Sequence, residues 1–302
     1  MYVSAKGSNH HPRAQGAEQP PLLPPQQQRR RSSWPLVILA ALFVIVPFLT
    51  WYGTWFGRHL SDAEIDEYLS DEKKPRRIQH ALSQIEERMV KHDEGAKRWY
   101  PQIIALAGNN VAEFRKTAAY LMSFDNRSEE FHTALHRLLE DSQPSVRRQA
   151  ALSLITFRDA RGLPELRAML RPYTVTATAQ GTIGSVLSEG TNVREGTLMA
   201  RIEGEGGALQ EVRSPVPGRV SRVATSEGAR VSVGEELFHV VPDTQSIWEA
   251  LRALYLVGER DDLALVDRYA SGAEPVPEKL KLQAAQTAKA IRSRSENGVS
   301  PP

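Results

Sequence analysis

Between residues 172 and 242 one short pattern of glycines and valines is written twice, and nothing else in the chain restricts the backbone as tightly. The first copy runs Gly181-Thr-Ile-Gly-Ser-Val186-Leu-Ser-Glu-Gly190-Thr-Asn-Val193-Arg-Glu-Gly196. The second runs Gly218-Arg-Val-Ser-Arg-Val223-Ala-Thr-Ser-Glu-Gly228-Ala-Arg-Val231-Ser-Val-Gly234. Each copy reads as a strand, a Glu-Gly turn, a short strand and a second glycine turn. The β-branched residues supply strand positions, and the glycines supply backbone conformations that bulkier residues resist. Two such copies predict two matched halves of one small all-β unit.

With Ser214-Pro215-Val216-Pro217-Gly218-Arg219-Val220 opening its second half, the pattern resembles the biotinyl/lipoyl-like barrel-sandwich hybrid fold. In that family two quasi-symmetric sets of short strands enclose a small core. The resemblance implies a cofactor carrier only where a lysine sits at the tip of the hairpin joining the halves, because a primary amine forms the amide to biotin or lipoate. Here the joining stretch is Glu203-Gly204-Glu205-Gly206-Gly207-Ala208-Leu209-Gln210, and no lysine occurs from Arg171 to Val241. No covalent biotin or lipoate is expected, and no cofactor. The remaining likeness is to the hybrid domains of periplasmic adaptor (membrane-fusion) proteins. Those adaptors insert a long helical hairpin between the halves, where this chain has a short glycine-rich turn.

The 302 residues suffice for two or three small modules, and the absence of cysteine excludes disulfides, thiolate zinc sites and cysteine-held iron–sulfur clusters. Charge is unevenly placed. Residues 1–33 carry Lys6, Arg13 and Arg29 to Arg31 against Glu18, a net +4 in a chain whose total is +2. This stretch, rich in Pro and Gln, buries too little apolar surface to offset ordering, so it reads as a disordered cytoplasmic tail; His10 and His11 within it lack partner ligands.

Residues 34–56 belong to a different solvent. Leu36 to Val46, then Pro47 to Phe56, contain no charge, and about 20 such residues span a bilayer core. The expectation is a single transmembrane helix, kinked at Pro47, with Trp34 at one interface and Trp51, Tyr52 and Trp55 at the other. Arg29 to Arg31 precede the span, whereas Arg58 beyond it is outnumbered by Asp62, Glu64, Asp66 and Glu67. The positive-inside rule makes this a signal-anchor of the cell inner membrane with the C-terminal domains periplasmic.

Residues 60–170 read as helical throughout. Ser61-Asp-Ala-Glu64 forms a capping box, and Pro75 suits a first helical turn before the apolar face Ile78, Ala81, Leu82, Ile85 and Met89. Phe114-Arg-Lys-Thr-Ala-Ala119 and Val146-Arg-Arg-Gln-Ala-Ala151 share an apolar-basic-basic-polar-Ala-Ala pattern, each followed by a second amphipathic helix. Paired helices at this period resemble HEAT repeats, in which the Ala-Ala pair lets helices approach closely. Residues 243–294 return to helix and 295–302 form a tail. The fold class expected is therefore a HEAT-like α-helical solenoid with an inserted all-β barrel-sandwich hybrid at 172–242.

Candidate chemistry is sparse. His132 and His136 lie four apart on one predicted helix and share a face, but no Glu follows the first His in the metalloprotease manner. They read as groove or core histidines. The acidic run Asp62, Glu64, Asp66, Glu67, Asp71 and Glu72 reads as dipole compensation, and Arg115, Lys116, Arg147 and Arg148 as solvated helix faces. Gly204-Glu-Gly206-Gly207 lacks the Lys-Ser/Thr of a phosphate loop. No catalytic, cofactor-binding or metal residue is assigned, and no enzymatic activity is expected. The sequence points to a membrane-anchored scaffold that binds other proteins of a bacterial envelope complex and no nucleic acid; the alternative is an adaptor-like subunit of an efflux or export transporter.

Overall fold

The computed structural model describes residues 34–55, 59–71 and 73–296, excluding the side chains of residues 35, 50–55 and 205. The expected tails, His10, His11, the arginine flanks, Glu72 and the aromatics Trp51, Tyr52 and Trp55 therefore lie outside the described side chains. The chain divides into residues Met1–His59 and Leu60–Pro302.

In the first part a single helix, α1 (Trp34–Trp55), covers 22 residues and carries Pro47 within it. Its side chains from Leu36 to Leu49 are exposed on every side, Phe43 to 82%. Among the described residues no helix is long and apolar enough to cross a membrane, and the described side chains of α1 stop at Leu49.

The second part begins with seven helices: α2 (Asp62–Ser70), α3 (Pro75–Val90), α4 (Tyr100–Leu106), α5 (Ala112–Met122), α6 (Glu129–Leu138), α7 (Pro144–Leu154) and α8 (Leu163–Ala168). The Ser61/Glu64 capping box is formed, and Pro75 occupies the first turn of α3. Helix α7 is the shared wall of two cores. Val146, Ala150 and Leu154 join the core built from α2 to α6 around Trp99, Phe131 and Leu135. Ala151 and Ile155 join a second core with Leu163, Leu166 and the C-terminal helices. A Cβ on Gly162 would lie 2.9 Å from the Cα of Ala151, so the alanine pair does admit a close neighbour.

A repeated arginine staple ties this helical layer together. Arg115 Nη1 donates to the carbonyls of Asn109 and Asn110, and Arg147 Nη1 to those of Asp141 and Ser142. Each side chain then reaches an acid of the next helical pair: Arg115 grips Asp141 through Nε and Nη2 at 2.6 and 2.8 Å, and Arg147 Nε meets Glu165 at 2.6 Å. Arg115 and Arg147 are thus paired rather than solvated, correcting the reading from sequence. Lone helical periodicity cannot show this, because the acids lie one pair further along the chain.

Residues 173–242 form two four-stranded antiparallel sheets. Strands β1 (Tyr173–Thr176), β2 (Gly181–Val186), β3 (Asn192–Val193) and β4 (Leu198–Glu203) are followed by β5 (Leu209–Arg213), β6 (Gly218–Val223), β7 (Arg230–Val231) and β8 (Glu236–Pro242). The sheet orders are β1-β8-β6-β3 and β5-β4-β2-β7. Exchanging the first four strands for the last four converts one order into the other, so the halves interlock by trading strands. The matching extends to single bonds: Gly190 N donates to Val220 O and Gly228 N to Ile183 O, both at 2.8 Å. Turn glycines Gly190 and Gly228 share positive φ, as do Gly196 and Gly234. Val175, Ile183, Met199, Ile202, Val220, Leu237, Phe238 and Val240 fill the space between the sheets.

Strands β1 and β8 are hydrogen-bonded neighbours, Tyr173 facing Val240, so the unit's two ends emerge together. The chain then continues into α9 (Thr244–Val257), α10 (Leu263–Ala270) and α11 (Glu278–Glu296), which complete the second helical core. The β unit is an insertion within that core's sequence. The C-terminal segment after Pro277 forms one 19-residue helix.

Two outcomes follow for stability. Cβ atoms on Gly181 and Gly218 would lie 2.4 Å from Glu203 O and 2.3 Å from Val241 O. Gly181→Ala and Gly218→Ala should each cost about 1–3 kcal/mol in denaturant unfolding, whereas Gly204→Ala, whose nearest neighbour is 3.5 Å away, should be close to neutral. The Arg115 hydrogen bond holds the Asp141 carboxyl below its ordinary 3.8, outweighing burial. That stabilisation is present above about pH 4 and is lost as pH falls below it. Asp141→Asn should therefore cost about 3 kcal/mol at neutral pH and flatten the acid limb of the stability–pH curve; an unchanged acid limb would exclude this pair as its source.

Candidate functional site

Three places carry the polar groups that could do chemistry or recognition. The first is the hairpin joining the two β halves. Gly204 N donates to Ala208 O at 2.9 Å across a 3₁₀ turn over Glu205–Gly207, with Gly206 and Gly207 at positive φ. The following strand β5 is the edge of its sheet, and Leu209 is 64% exposed there. Arg213 pairs with Glu211 at 2.6 Å on the same edge, charge of the kind that discourages indiscriminate strand pairing. Nothing at this tip offers an amine for cofactor attachment.

The second is the root of the β unit, where it meets the helices. Glu195, in the β3–β4 turn, accepts from Lys116 Nζ of α5 at 3.0 Å and from Ser145 Oγ of α7 at 2.5 Å. Tyr269 Oη of α10 donates to Leu170 O at 2.7 Å, just before the chain enters β1. A cleft of about 390 Å³ opens at this root, lined among others by Pro172, Asn192, Arg219, Pro242, Tyr269 and Glu274. Arg148 is buried at the root and its Nε has no hydrogen-bond partner. Burial pushes its guanidinium down, opposed by the charges of Glu165 and of Asp243, the N-cap of α9. Of the four basic residues read as a solvated ridge, none is left on a solvated face: two staple the helices, Lys116 holds the β unit, and Arg148 is buried.

The third is a polar cluster on the helical layer. His132 and His136, one turn apart on α6, both place Nε2 on the same carboxylate oxygen, Asp159 Oδ2, at 2.8 and 2.6 Å. Arg158, at φ 57°, closes the end of the preceding helix and swings Asp159 back onto α6. His132 stacks on Phe157 at 5.0 Å and meets His136 edge-on at 4.4 Å. Burial opposes ionisation of Asp159, but the Arg161 backbone N–H, both imidazoles and the Arg161 charge outweigh it and bring its carboxyl to about 2. Asp159 lies 23 residues beyond His136 and carries no motif, so sequence spacing alone does not find it.

The acidic run is used structurally. Asp62 pairs with Arg88 and Arg98 at 2.7 and 2.9 Å, and Asp66 accepts from Trp99 Nε1 at 2.7 Å. Asp62 and Glu64 both stand in the first turn of α2, as expected for dipole compensation, and Glu64 completes the capping box.

No family model matches the chain, and no curated protein matches it. Among solved structures, a single-chain, multi-domain long-chain acyl-CoA carboxylase is similar at 20% identity, with a TM-score of 0.23, over 51% of this chain. The chain spans 15% of that protein's length, and a likeness of this degree carries no argument about fold or chemistry.

Removing an unpaired buried charge in favour of an apolar side chain of similar volume is commonly neutral or stabilising. Arg148→Met should leave the thermal midpoint unchanged or raise it. A fall of several degrees would show that the guanidinium is compensated at the root.

Proposed function

We propose that the chain is a non-catalytic, membrane-anchored scaffold whose β unit, a barrel-sandwich hybrid of the biotinyl/lipoyl-like type, is set into a HEAT-like helical layer and binds another protein of an envelope membrane complex. The observation that carries this reading is the hairpin between the matched halves. Carrier relatives place their attachment lysine there, and here Glu205-Gly206-Gly207 stands in its place on an otherwise intact, strand-exchanged core. An architecture kept without its carrier group is suited to recognition, and β5 offers an exposed sheet edge beside the hairpin.

The anchor rests on α1. A helix that is apolar all round has no stable position in water unless something covers it, and a bilayer does so. The arginines at Arg29 to Arg31 favour a cytoplasmic N-terminus, leaving the helical layer and β unit on the periplasmic side.

Photo-crosslinking residues placed at Leu209 and Gln210 in membranes of cells making the full chain should each give the same single protein adduct. The C-terminal part should be digested by protease in spheroplasts and protected in intact cells. Absence of any reproducible adduct, or protection in both preparations, would contradict the proposal.

A further inference from the structure

We propose that His132, His136 and Asp159 form a binding site for a first-row divalent cation, Zn²⁺ being the natural occupant for two imidazoles and one carboxylate. One ring nitrogen of each histidine and one Asp159 oxygen all lie within 4.8 Å of one another, and both Nε2 atoms already touch Asp159 Oδ2. Tetrahedral coordination with metal–nitrogen and metal–oxygen bonds near 2.0–2.1 Å separates donors by roughly 3.3 Å. The present separations of 2.8 and 2.6 Å are those of hydrogen bonds, so the ion needs the three groups to part by about half an ångström, within reach of side-chain rotation.

Proton placement supports the exchange. Arg161 Nη1 lies 2.9 Å from His136 Nδ1, and a guanidinium can only donate, so His136 Nδ1 accepts and Nε2 carries the proton given to Asp159. Metal binding needs that Nε2 lone pair. The ring proton moves from Nε2 to Nδ1, a change of tautomer, and Arg161 turns away. Its side chain is 65% exposed and gives up a 3.2 Å ion pair with Asp159 in turning, whereas the imidazoles are 23% exposed and Asp159 only 9%. His132 Nδ1 faces the exposed carboxylate of Glu129, whose Oε2 lies 3.9 Å away, beyond hydrogen-bond reach.

Three protein donors leave coordination positions open to solvent on a half-buried surface, which allows water or a partner's side chain to complete the sphere. The ion would join α6 to the turn after α7, adding a bond between successive helical pairs. The arginine staples start from α5 and α7, so the site strengthens the layer without replacing them.

The test uses the purified full chain, stripped with chelator and titrated with ZnCl₂ by calorimetry, with Co²⁺ absorption as a second readout. One equivalent should bind per chain and raise the thermal midpoint. His132→Ala and His136→Ala should abolish saturable binding. Arg161→Ala, a change at an exposed side chain that spares the fold, should bind at least as tightly as wild type. The paired change His10→Ala with His11→Ala should leave the stoichiometry at one. Loss of binding in that N-terminal variant, retention in His132→Ala, or no saturable binding by the wild type would each overturn the proposal, leaving the cluster a hydrogen-bond network only.

Discussion

The pairing of β1 with β8 is the constraint that lets one helical core form on both sides of the inserted β unit. The second helical core is assembled from residues on both sides of the β unit, Leu163 and Leu166 before it and Ile247, Leu251 and Leu254 after it. Those residues can meet only if 70 or so intervening residues begin and end at one place. Antiparallel pairing of Tyr173 with Val240 delivers that, and the Tyr269 hydroxyl fastens the entry at Leu170. The symmetry of the unit matters here for a mechanical reason. Strand exchange closes each half on the other, so the core between the sheets is complete without help from the helices, and the root needs only a few polar contacts.

Helix α7 carries the complementary burden on the helical side. Its alanine pair divides between two cores, Arg147 staples it to Glu165, and Ser145 reaches the β unit through Glu195. Hydrophobic burial on opposite faces sets its position, while the charged groups set register between neighbours. That division follows from their magnitudes: buried apolar surface supplies most of the stabilisation, and directional pairs decide which arrangement is adopted.

Much of this was legible in the sequence because its causes are local. Glycine turns, the Ser61/Glu64 capping box, Pro75 and the 3.6-residue periodicities each act within a few residues, and each stands where expected. The insertion was legible from composition alone, since a β pattern interrupts a helical one. What stayed hidden depends on contacts between distant residues. Asp62 and Asp66 meet Arg88, Arg98 and Trp99 from 26 to 36 residues away. Arg115 and Arg147 look like surface charges until the next helical pair supplies their acids. Asp159 joins the two histidines only because a left-handed Arg158 turns the chain back, and no spacing rule anticipates that turn.

The central claim is that the β unit is a recognition module seated in a helical layer that stands without it. The most direct measurement excises residues 172–242 from the full chain, joining Arg171 to Asp243, and follows helical circular dichroism together with co-purification of partner proteins from detergent-solubilised membranes. The account predicts retained helical signal and loss of the co-purifying partner. Collapse of the helices, or undiminished recovery of the same partner, would contradict it.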